Sequence, residues 1–404
     1  MSYRLDDFPR ELEAVFPVPG TILTAVQLDG SPRSLLRLLG EPELTFEISG
    51  QQKRDLPMLH AGAVHQVLAS LRASGSSLVV VVPNHSSLRS DAPALQGLRE
   101  RILLMHADRV IGKGRVDLTD QARGLGFGES NDLATSHLIS ELNTNLNLDT
   151  PTNALFSTLP QVVRNSLGGI VRRLGVQLPA LEDDPILPKM SLFVKEALDN
   201  VRLHAVRSVS DDTLLPGQSC VSVRVTRFSE CVRSGAIAGG APDAWEQGLS
   251  AILGKRVETD CEILEIAISD CGDGIPATMK ESLDTYRKPH VFEIKAIEDA
   301  LRPKSTRPRT RPTVTPRSNK GFGFSQMLEA LSDLRGQLVI WTGRTHMKWS
   351  SIDSNGHRYP AGHASKSMHA WDYEMTERVT GTSLSCAIPL DRRHPAQADS
   401  LFDV

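Results

Sequence analysis

The chain has 404 residues, of which 23% are charged, and a formal net charge of -3 at pH 7. This balance gives no overall attraction to nucleic acid, and the length predicts more than one domain. No apolar run reaches the roughly 18 residues of a membrane span, and early acids without an apolar core indicate that the N-terminus is not a signal peptide. The five cysteines form no CxxC pair, which favours reduced thiols in a cytoplasmic protein over a disulfide or zinc framework.

Residues 1–130 alternate between strand-like and helix-like segments. The apolar periodicity of HAGAVHQVLASLRASG (60–75) predicts a helix, and strands are predicted before and after it at LTFEIS (44–49) and SLVVVVPN (77–84). This order predicts a small α/β domain with a partly parallel sheet. It contains no GxGxxG after a strand and no Walker-type Gly-Lys-Ser/Thr, so we interpret it as a sensor, scaffold or partner-docking module.

Residues 131–188 are predicted to form a mainly helical linker, which ends in the proline-rich segment QLPALEDDPILPKM (177–190). From there the pattern changes to a helix (191–205), the strands SCVSVRVTRF (219–228) and EILEIAISD (262–270), a further helix, and the closing strands QLVIWTG (337–343) and GTSLSCAIPL (381–390). We predict an α+β domain over 189–395, with helices on one face of a mixed sheet, followed by a tail at 396–404.

The segment FVKEALDNVRLHA (193–205) places polar groups among apolar neighbours on a predicted helix. Glu196 and Asn200 are four residues apart, so their side chains emerge on one face of that helix. A carboxylate in this place can deprotonate a water, and a neighbouring amide oxygen can be one ligand of Mg²⁺. By itself the pair also occurs on ordinary helices.

A second motif, ISDCGDGIP (268–276), follows a predicted strand. Asp270 ends the strand, where a carboxylate can accept a hydrogen bond from an exocyclic amine such as that of adenine. Gly272 and Gly274 allow a turn with positive φ and a close approach of backbone to the base. The plain alternative is an Asp-Gly turn.

A third motif, NKGFGFSQMLEALSDLRG (319–336), begins a predicted helix. Gly321 and Gly323 precede free N–H groups that can bind an anion, and Lys320 can add a positive charge. A hinge is the alternative interpretation.

A fourth motif, GTSLSCAIPL (381–390), is a predicted closing strand that begins with Gly381 and Thr382. The threonine hydroxyl can join hydrogen bonds around a base, and a plain edge strand after a turn is the alternative.

In this order, the four motifs resemble the N, G1, G2 and G3 boxes of the GHKL ATPase superfamily, which includes DNA gyrase, the heat-shock chaperone ATPases, histidine kinases and MutL. The resemblance covers 189–392 and depends on the complete set, because each box alone is a loose pattern. It implies an ATP-binding domain in the C-terminal half.

The resemblance also implies a role for each motif residue. Glu196 would polarise the attacking water, Asn200 would carry Mg²⁺, and Asp270 would bind the adenine amine with support from Thr382. The remaining positions would shape the base pocket or cradle the phosphates: Gly272, Gly274, Lys320, Gly321 and Gly323.

Two long intervals depart from the family pattern, one between Asn200 and Asp270 and one at 277–320. The end of the second, RPKSTRPRTRPTVTPRSNK (302–320), has seven basic residues, four prolines and no acid. We expect this segment to order as a lid over the triphosphate. Binding of a second polyanion such as nucleic acid is the alternative, which the lack of interleaved aromatic residues disfavours.

The sequence therefore predicts a conformational ATPase in which Mg²⁺ and ATP close a lid and control homodimerisation or docking of a protein partner. One alternative is a protein kinase of the histidine-kinase or anti-sigma serine-kinase type. The domain at 1–130 is compatible with a STAS-like module, which is the kind of partner that an anti-sigma kinase recognises. Another is a sensor that binds ATP without hydrolysing it.

Overall fold

A computed structural model of the chain describes these residues: 21–24, 42–48, 58–83, 102–104, 106–112, 116–124, 135–138, 186–205, 219–227, 262–280, 290–302, 323–351, 368–371 and 379–390.

The first part of the chain forms a five-stranded sheet in the order β1-β2-β3-β4-β5, here called the N-terminal sheet. Its strands are β1 (Thr21–Thr24), β2 (Glu43–Glu47), β3 (Ser77–Val82), β4 (Arg109–Gly112) and β5 (Val116–Asp117). The first four are parallel and β5 pairs antiparallel with β4. The partly parallel α/β arrangement predicted from the sequence is therefore confirmed for these residues.

Helix α1 (Met58–Ala73) connects β2 to β3, and the short α2 (Thr119–Gly124) follows β5. Gly75, at φ 94°, ends α1 in a left-handed turn. The N–H groups of Gly75 and Ser76 donate to the carbonyls of Arg72 and Leu71, at 3.0 and 3.1 Å. Glycine is favoured here because it adopts this backbone conformation without steric strain.

The second sheet, here called the C-terminal sheet, has seven strands in the order β11-β10-β9-β12-β8-β7-β6. They are β6 (Thr135–Leu138), β7 (Ser219–Arg227), β8 (Glu262–Asp270), β9 (Gln337–Gly343), β10 (Thr345–Ser350), β11 (Met368–Trp371) and β12 (Val379–Pro389). Every strand pair in it is antiparallel. The α+β class is confirmed, whereas the mixed sheet predicted from the sequence is wrong for the described strands.

Strand β6 also corrects the sequence analysis, which predicted helix around 135–138. These residues pair with β7 from Thr135 opposite Arg224 to Leu138 opposite Val221. The open edge of β7 offers backbone donors and acceptors, and such tertiary pairing overrides a weak local helix preference. Within the predicted linker 131–188, the only other described residues are 186–188, which begin a helix.

Four helices accompany the C-terminal sheet in the described part of the chain: α3 (Ile186–His204), α4 (Ile275–Lys280), α5 (His290–Ala300) and α6 (Gly323–Asp333). Helix α3 starts earlier than predicted and includes Pro188 in its first turn. Proline is tolerated there because the N–H groups of the first turn have no hydrogen-bond partner within the helix. Helices α3 and α6 pack against each other. Their buried residues form one core cluster with alternate strand residues, among them Leu264, Ile266 and Ile268.

The opposite face of the C-terminal sheet is covered by α1. Neighbouring residues of a strand point to opposite faces, so Glu265, Ala267 and Ser269 point away from the α3–α6 core. Helix α1 contacts β8 and β12, and none of its residues belongs to that core cluster. The sheet thus has helices on both faces, where the sequence analysis predicted them on one.

Cys271 and Cys386 are free and buried. Among the described helices, none has both the length and the apolar character needed to cross a membrane.

Two histidines buried where α1 packs should make the free energy of unfolding depend on pH. His65 and His106 are both fully buried, with ring centroids 4.8 Å apart. Burial lowers the pKa of His65 from 6.5 to about 3. Burial, the neighbouring His65 and the charge of Arg72 lower the pKa of His106 well below its usual value.

Because both folded-state pKa values are depressed, the unfolded chain binds protons first as the pH falls, and stability present above pH 6.5 is lost below it. Between pH 7.5 and pH 5 we expect the free energy of unfolding to fall by about 2 kcal/mol for each histidine that stays neutral. Urea denaturation at the two pH values measures this loss, and His65→Gln should show a smaller one. Equal losses in the two proteins would contradict the assignment.

Candidate functional site

Asp270 ends β8, one of the central strands of the C-terminal sheet, and its side chain is 7% exposed. Its Oδ1 atom accepts hydrogen bonds from the backbone N–H groups of Gly272, at 2.8 Å, and Thr382, at 3.2 Å. No described residue donates to Oδ2. The carboxylate therefore has one oxygen satisfied by backbone and one left to accept a hydrogen bond from a ligand.

The electrostatics of Asp270 favour such a donor. Burial raises the pKa of Asp270 from 3.8 to about 6, although the hydrogen bonds from Gly272 and Thr382 act in the opposite direction. A neutral N–H donor in the pocket would replace part of the missing hydration of the ionised carboxylate and lower its pKa again.

A threonine that the sequence analysis missed connects the turn after β8 to β12. The Thr342 hydroxyl donates to the carbonyl of Gly381, at 3.0 Å, and accepts from the N–H of Ile275, at 3.1 Å. It also lies 3.2 Å from the hydroxyl of Thr382. Thr342 is in the predicted strand QLVIWTG, but only the pairing of β9 with β12 brings it to this place.

The glycines of the second motif are required by close packing. A Cβ atom on Gly272 would lie 2.5 Å from the Cα of Ala205 at the end of α3. Gly274 has φ +83°, and its Cβ would lie 2.7 Å from the Thr342 hydroxyl. The need for glycine was predicted from approach to a base, whereas the structure explains it by approach to α3 and β9.

Gly381 makes the closest approach of all. Its φ is +79°, and a Cβ atom would lie 1.8 Å from the carbonyl oxygen of Asp270. Only glycine fits between these two backbones, and this contact brings Thr382 within hydrogen-bonding distance of Asp270. The strand that contains Thr382 is central in the sheet, so the edge-strand alternative does not hold.

A pocket that is partly open to solvent lies beside Asp270. Its polar lining includes Asn200, Asp270, Thr278 and Thr382. The apolar lining comes from α3, β8, α4, α6 and β12: Ala197, Val201, Ile268, Ile275, Met279, Phe324 and Leu384. An apolar cleft with a few convergent polar groups is typical of a small-ligand site.

Helix α3 brings Asn200 into this lining, but Glu196 is not among the lining residues. Both side chains approach the start of α6: a Cβ atom on Gly323 would lie 3.1 Å from Glu196 Oε2 and 3.6 Å from Asn200 Oδ1. Ala197 and Val201 belong to the core and also line the pocket.

A lysine missed by the sequence analysis pairs with Glu196. Lys195 Nζ lies 2.6 Å from Glu196 Oε1 and 3.0 Å from Asp199 Oδ2. Burial lowers the pKa of Lys195, but the hydrogen bonds to these two carboxylates outweigh it and leave the pKa raised. The spacing of Lys195 and Asp199, four residues apart on a helix, was the signal available in the sequence.

Two predicted phosphate-site residues, Lys320 and Gly321, lie outside the described residues, as does most of the basic segment 302–320. Within the described part of the chain, no three His, Cys, Asp or Glu side chains cluster as metal ligands. The Nδ2 atom of Asn200 is buried and has no described partner.

Comparison with protein-family models, with curated proteins and with solved structures found no match.

The crowding at Gly381 is tested by comparing two left-handed glycines. Gly381→Ala should lower the free energy of unfolding by at least ~3 kcal/mol, because the methyl group meets backbone that must move. Gly75→Ala, at φ +94° with nothing within 4 Å of the new methyl, should lose only about 1 kcal/mol from backbone strain. Urea denaturation measures both, and similar losses would contradict the packing described here.

Proposed function

We propose that the pocket beside Asp270 binds ATP with Mg²⁺, and that the chain is a conformational ATPase of the GHKL type. In this proposal nucleotide binding orders the basic segment 302–320 and controls dimerisation or docking of a protein partner. The observation that carries the proposal is the buried Asp270 carboxylate, which has an unpaired Oδ2 at the wall of a largely apolar pocket.

The pocket chemistry suits adenine. A purine ring would be buried by Val201, Ile268 and Met279, while its exocyclic amine would donate to Asp270. Guanine has a carbonyl oxygen in the position of the adenine amine, and this oxygen would leave the carboxylate without a donor. An unpaired buried polar group is unfavourable, so the site should discriminate against such a base.

The triphosphate would extend toward α3 and the start of α6. Helix α6 begins at Gly323, and backbone N–H groups at a helix N-terminus attract anions. Asn200 lies near this point and could supply one oxygen ligand to Mg²⁺, which would take its other ligands from phosphates and water and would neutralise phosphate charge. That donor set fits Mg²⁺, which seldom relies on an all-protein cage.

Glu196 is the proposed base for hydrolysis. Its Oε2 atom accepts no hydrogen bond from a described residue and points toward the start of α6, where the terminal phosphate would lie. Lys195 occupies the other oxygen, Oε1. A carboxylate with one free oxygen at this place could orient and deprotonate the attacking water.

The same ion pair favours the second candidate, an ATP sensor that does not hydrolyse its ligand. Lys195 holds one oxygen of Glu196 in an ion pair, and Glu196 does not line the pocket. The kinase alternative has no observation in its favour among the described residues and stays a prediction of the sequence.

Asp270→Asn should weaken ATP binding by roughly 10- to 100-fold, because a charge-assisted hydrogen bond to the amine is lost. The affinity of the unchanged protein should also fall as the pH drops below about 6, since protonation of Asp270 removes the same acceptor. Isothermal titration calorimetry with ATP and Mg²⁺ across this pH range measures both effects.

Asp273→Asn, in the same turn but not in the pocket lining, is the matched control and should bind ATP normally. An Asp270→Asn protein that binds ATP as tightly as the control would refute the role of this carboxylate.

Glu196→Gln should retain ATP binding but release phosphate at least ~100-fold more slowly, because the amide cannot take a proton from water. Glu329→Gln, on the exposed side of α6, changes charge equally and should leave both properties unaltered. A malachite-green assay of phosphate release distinguishes the candidates: measurable release that depends on Glu196 supports the ATPase, and ATP binding without release supports the sensor.

A further inference from the structure

Helix α1 packs on the face of the C-terminal sheet opposite the proposed nucleotide site, and three of its buried residues contact the strands and turn that form this site. His65 lies 3.8 Å from the Cys271 sulfur, and Gln66 Nε2 donates to the carbonyl of Trp341, at 3.2 Å. The hydroxyl of Ser70 accepts from the N–H of Thr380, at 2.9 Å.

Each of these contacts lies next in the chain to a residue of the hydrogen-bonded group around Asp270, which consists of Asp270, Thr342, Gly381 and Thr382. Cys271 follows Asp270, Trp341 precedes Thr342, and Thr380 precedes Gly381 and Thr382. A single layer of backbone therefore separates the helix from the groups around Asp270.

The contact at Ser70 is made where β12 is irregular. Val379 pairs with Gly343 and Thr382 pairs with Thr342, so that Thr380 and Gly381 are additional residues on β12. A bulge of this kind leaves backbone groups outside the ladder, and they need other partners. Ser70 provides the partner for the N–H of Thr380.

The Ser70 hydroxyl is well suited to this task. It donates to the carbonyl of Gln66, at 2.8 Å, which directs its lone pairs away from the helix and toward β12. It also lies 3.1 Å from the hydroxyl of Thr380. Ser70 is 5% exposed and Gln66 is 0% exposed, so both side chains are buried between α1 and the C-terminal sheet.

The bulge determines the geometry of the site in front of it. It is the reason that Gly381 approaches the Asp270 carbonyl and that the Thr382 N–H reaches Asp270 Oδ1. A shift of Thr380 would move both groups, because Gly381 and Thr382 follow it directly in the strand.

We propose that Ser70 and Gln66 of α1 are positioning residues of the nucleotide site. By bonding Thr380 and Trp341, they hold the β12 bulge and β9 in the arrangement that brings the Thr382 N–H to Asp270 and the Thr342 hydroxyl to Gly381. This rests on the proposed function of the pocket. In this proposal the N-terminal α/β region, which contributes α1, is part of the structure that recognises the base. A ligand or partner that binds this region would then alter nucleotide affinity.

The proposal is tested with two nucleotides that differ at the recognised amine. Inosine triphosphate has a carbonyl oxygen where ATP has its exocyclic amine, so it cannot donate to Asp270 from that position. In the full-length protein, Ser70→Ala should weaken ATP binding about five- to tenfold, as expected for loss of one buried hydrogen bond. Affinity for inosine triphosphate should stay nearly unchanged, so the preference for ATP falls.

Ser191→Ala is the matched control. Ser191 is also a buried helix serine whose hydroxyl donates to the carbonyl four residues earlier, Leu187, at 2.7 Å, but it lies on α3 and its hydroxyl forms no hydrogen bond with a described residue of β12. This variant should keep the preference for ATP.

The possible results separate the two proposals. If the unchanged protein does not prefer ATP to inosine triphosphate, the proposed function fails, and the inference fails with it. If it does and Ser70→Ala keeps the preference, or weakens both nucleotides equally, the positioning role alone is overturned. Should Ser70→Ala not fold, Gln66→Met removes the donor to Trp341 at similar volume and is judged by the same ratio.

Discussion

The contact between Gly381 and Asp270 is the constraint on which the rest of the site depends. A Cβ atom at Gly381 would lie 1.8 Å from the Asp270 carbonyl oxygen, so the two backbones meet only because one residue has no side chain. This approach aligns the N–H of Thr382 with Asp270 Oδ1 and the carbonyl of Gly381 with the hydroxyl of Thr342. Because these bonds satisfy one oxygen of a buried carboxylate, the other is available for a ligand.

Burial of the C-terminal sheet on both faces connects the two halves of the chain. Strands covered on both faces carry few surface-exposed residues, and in β8 the side chains from Ile263 to Asp270 are all buried. Helices α3 and α6 form the pocket side, while α1 supplies the opposite layer. A change in how α1 packs therefore reaches the pocket without any intervening loop, since the same strands carry residues of both surfaces.

Much of the architecture was predictable, because period and composition are local properties. The strands β7, β8, β9 and β12 and the helices α1 and α6 lie where their apolar patterns indicate. Strand β6 was predicted as helix, because its fate depended on the free edge of β7 rather than on its own residues. The mixed sheet and the single covered face were wrong for the same reason, since pairing direction and the packing of α1 are properties of the assembled chain.

Within the candidate site, the sequence alone identified the residues that combine unusual chemistry with local spacing: Asp270 and its glycines, and the Glu196–Asn200 pair one helical turn apart. Tertiary structure decided which of these meet. Folding places Asn200 and Asp270 around one pocket, leaves Glu196 beside it with Lys195, and adds Thr342 and Ser70 from segments that carry no motif. Such partners are hidden in a linear pattern because a hydroxyl acquires its role only from the backbone groups that distant strands and helices bring within hydrogen-bonding distance.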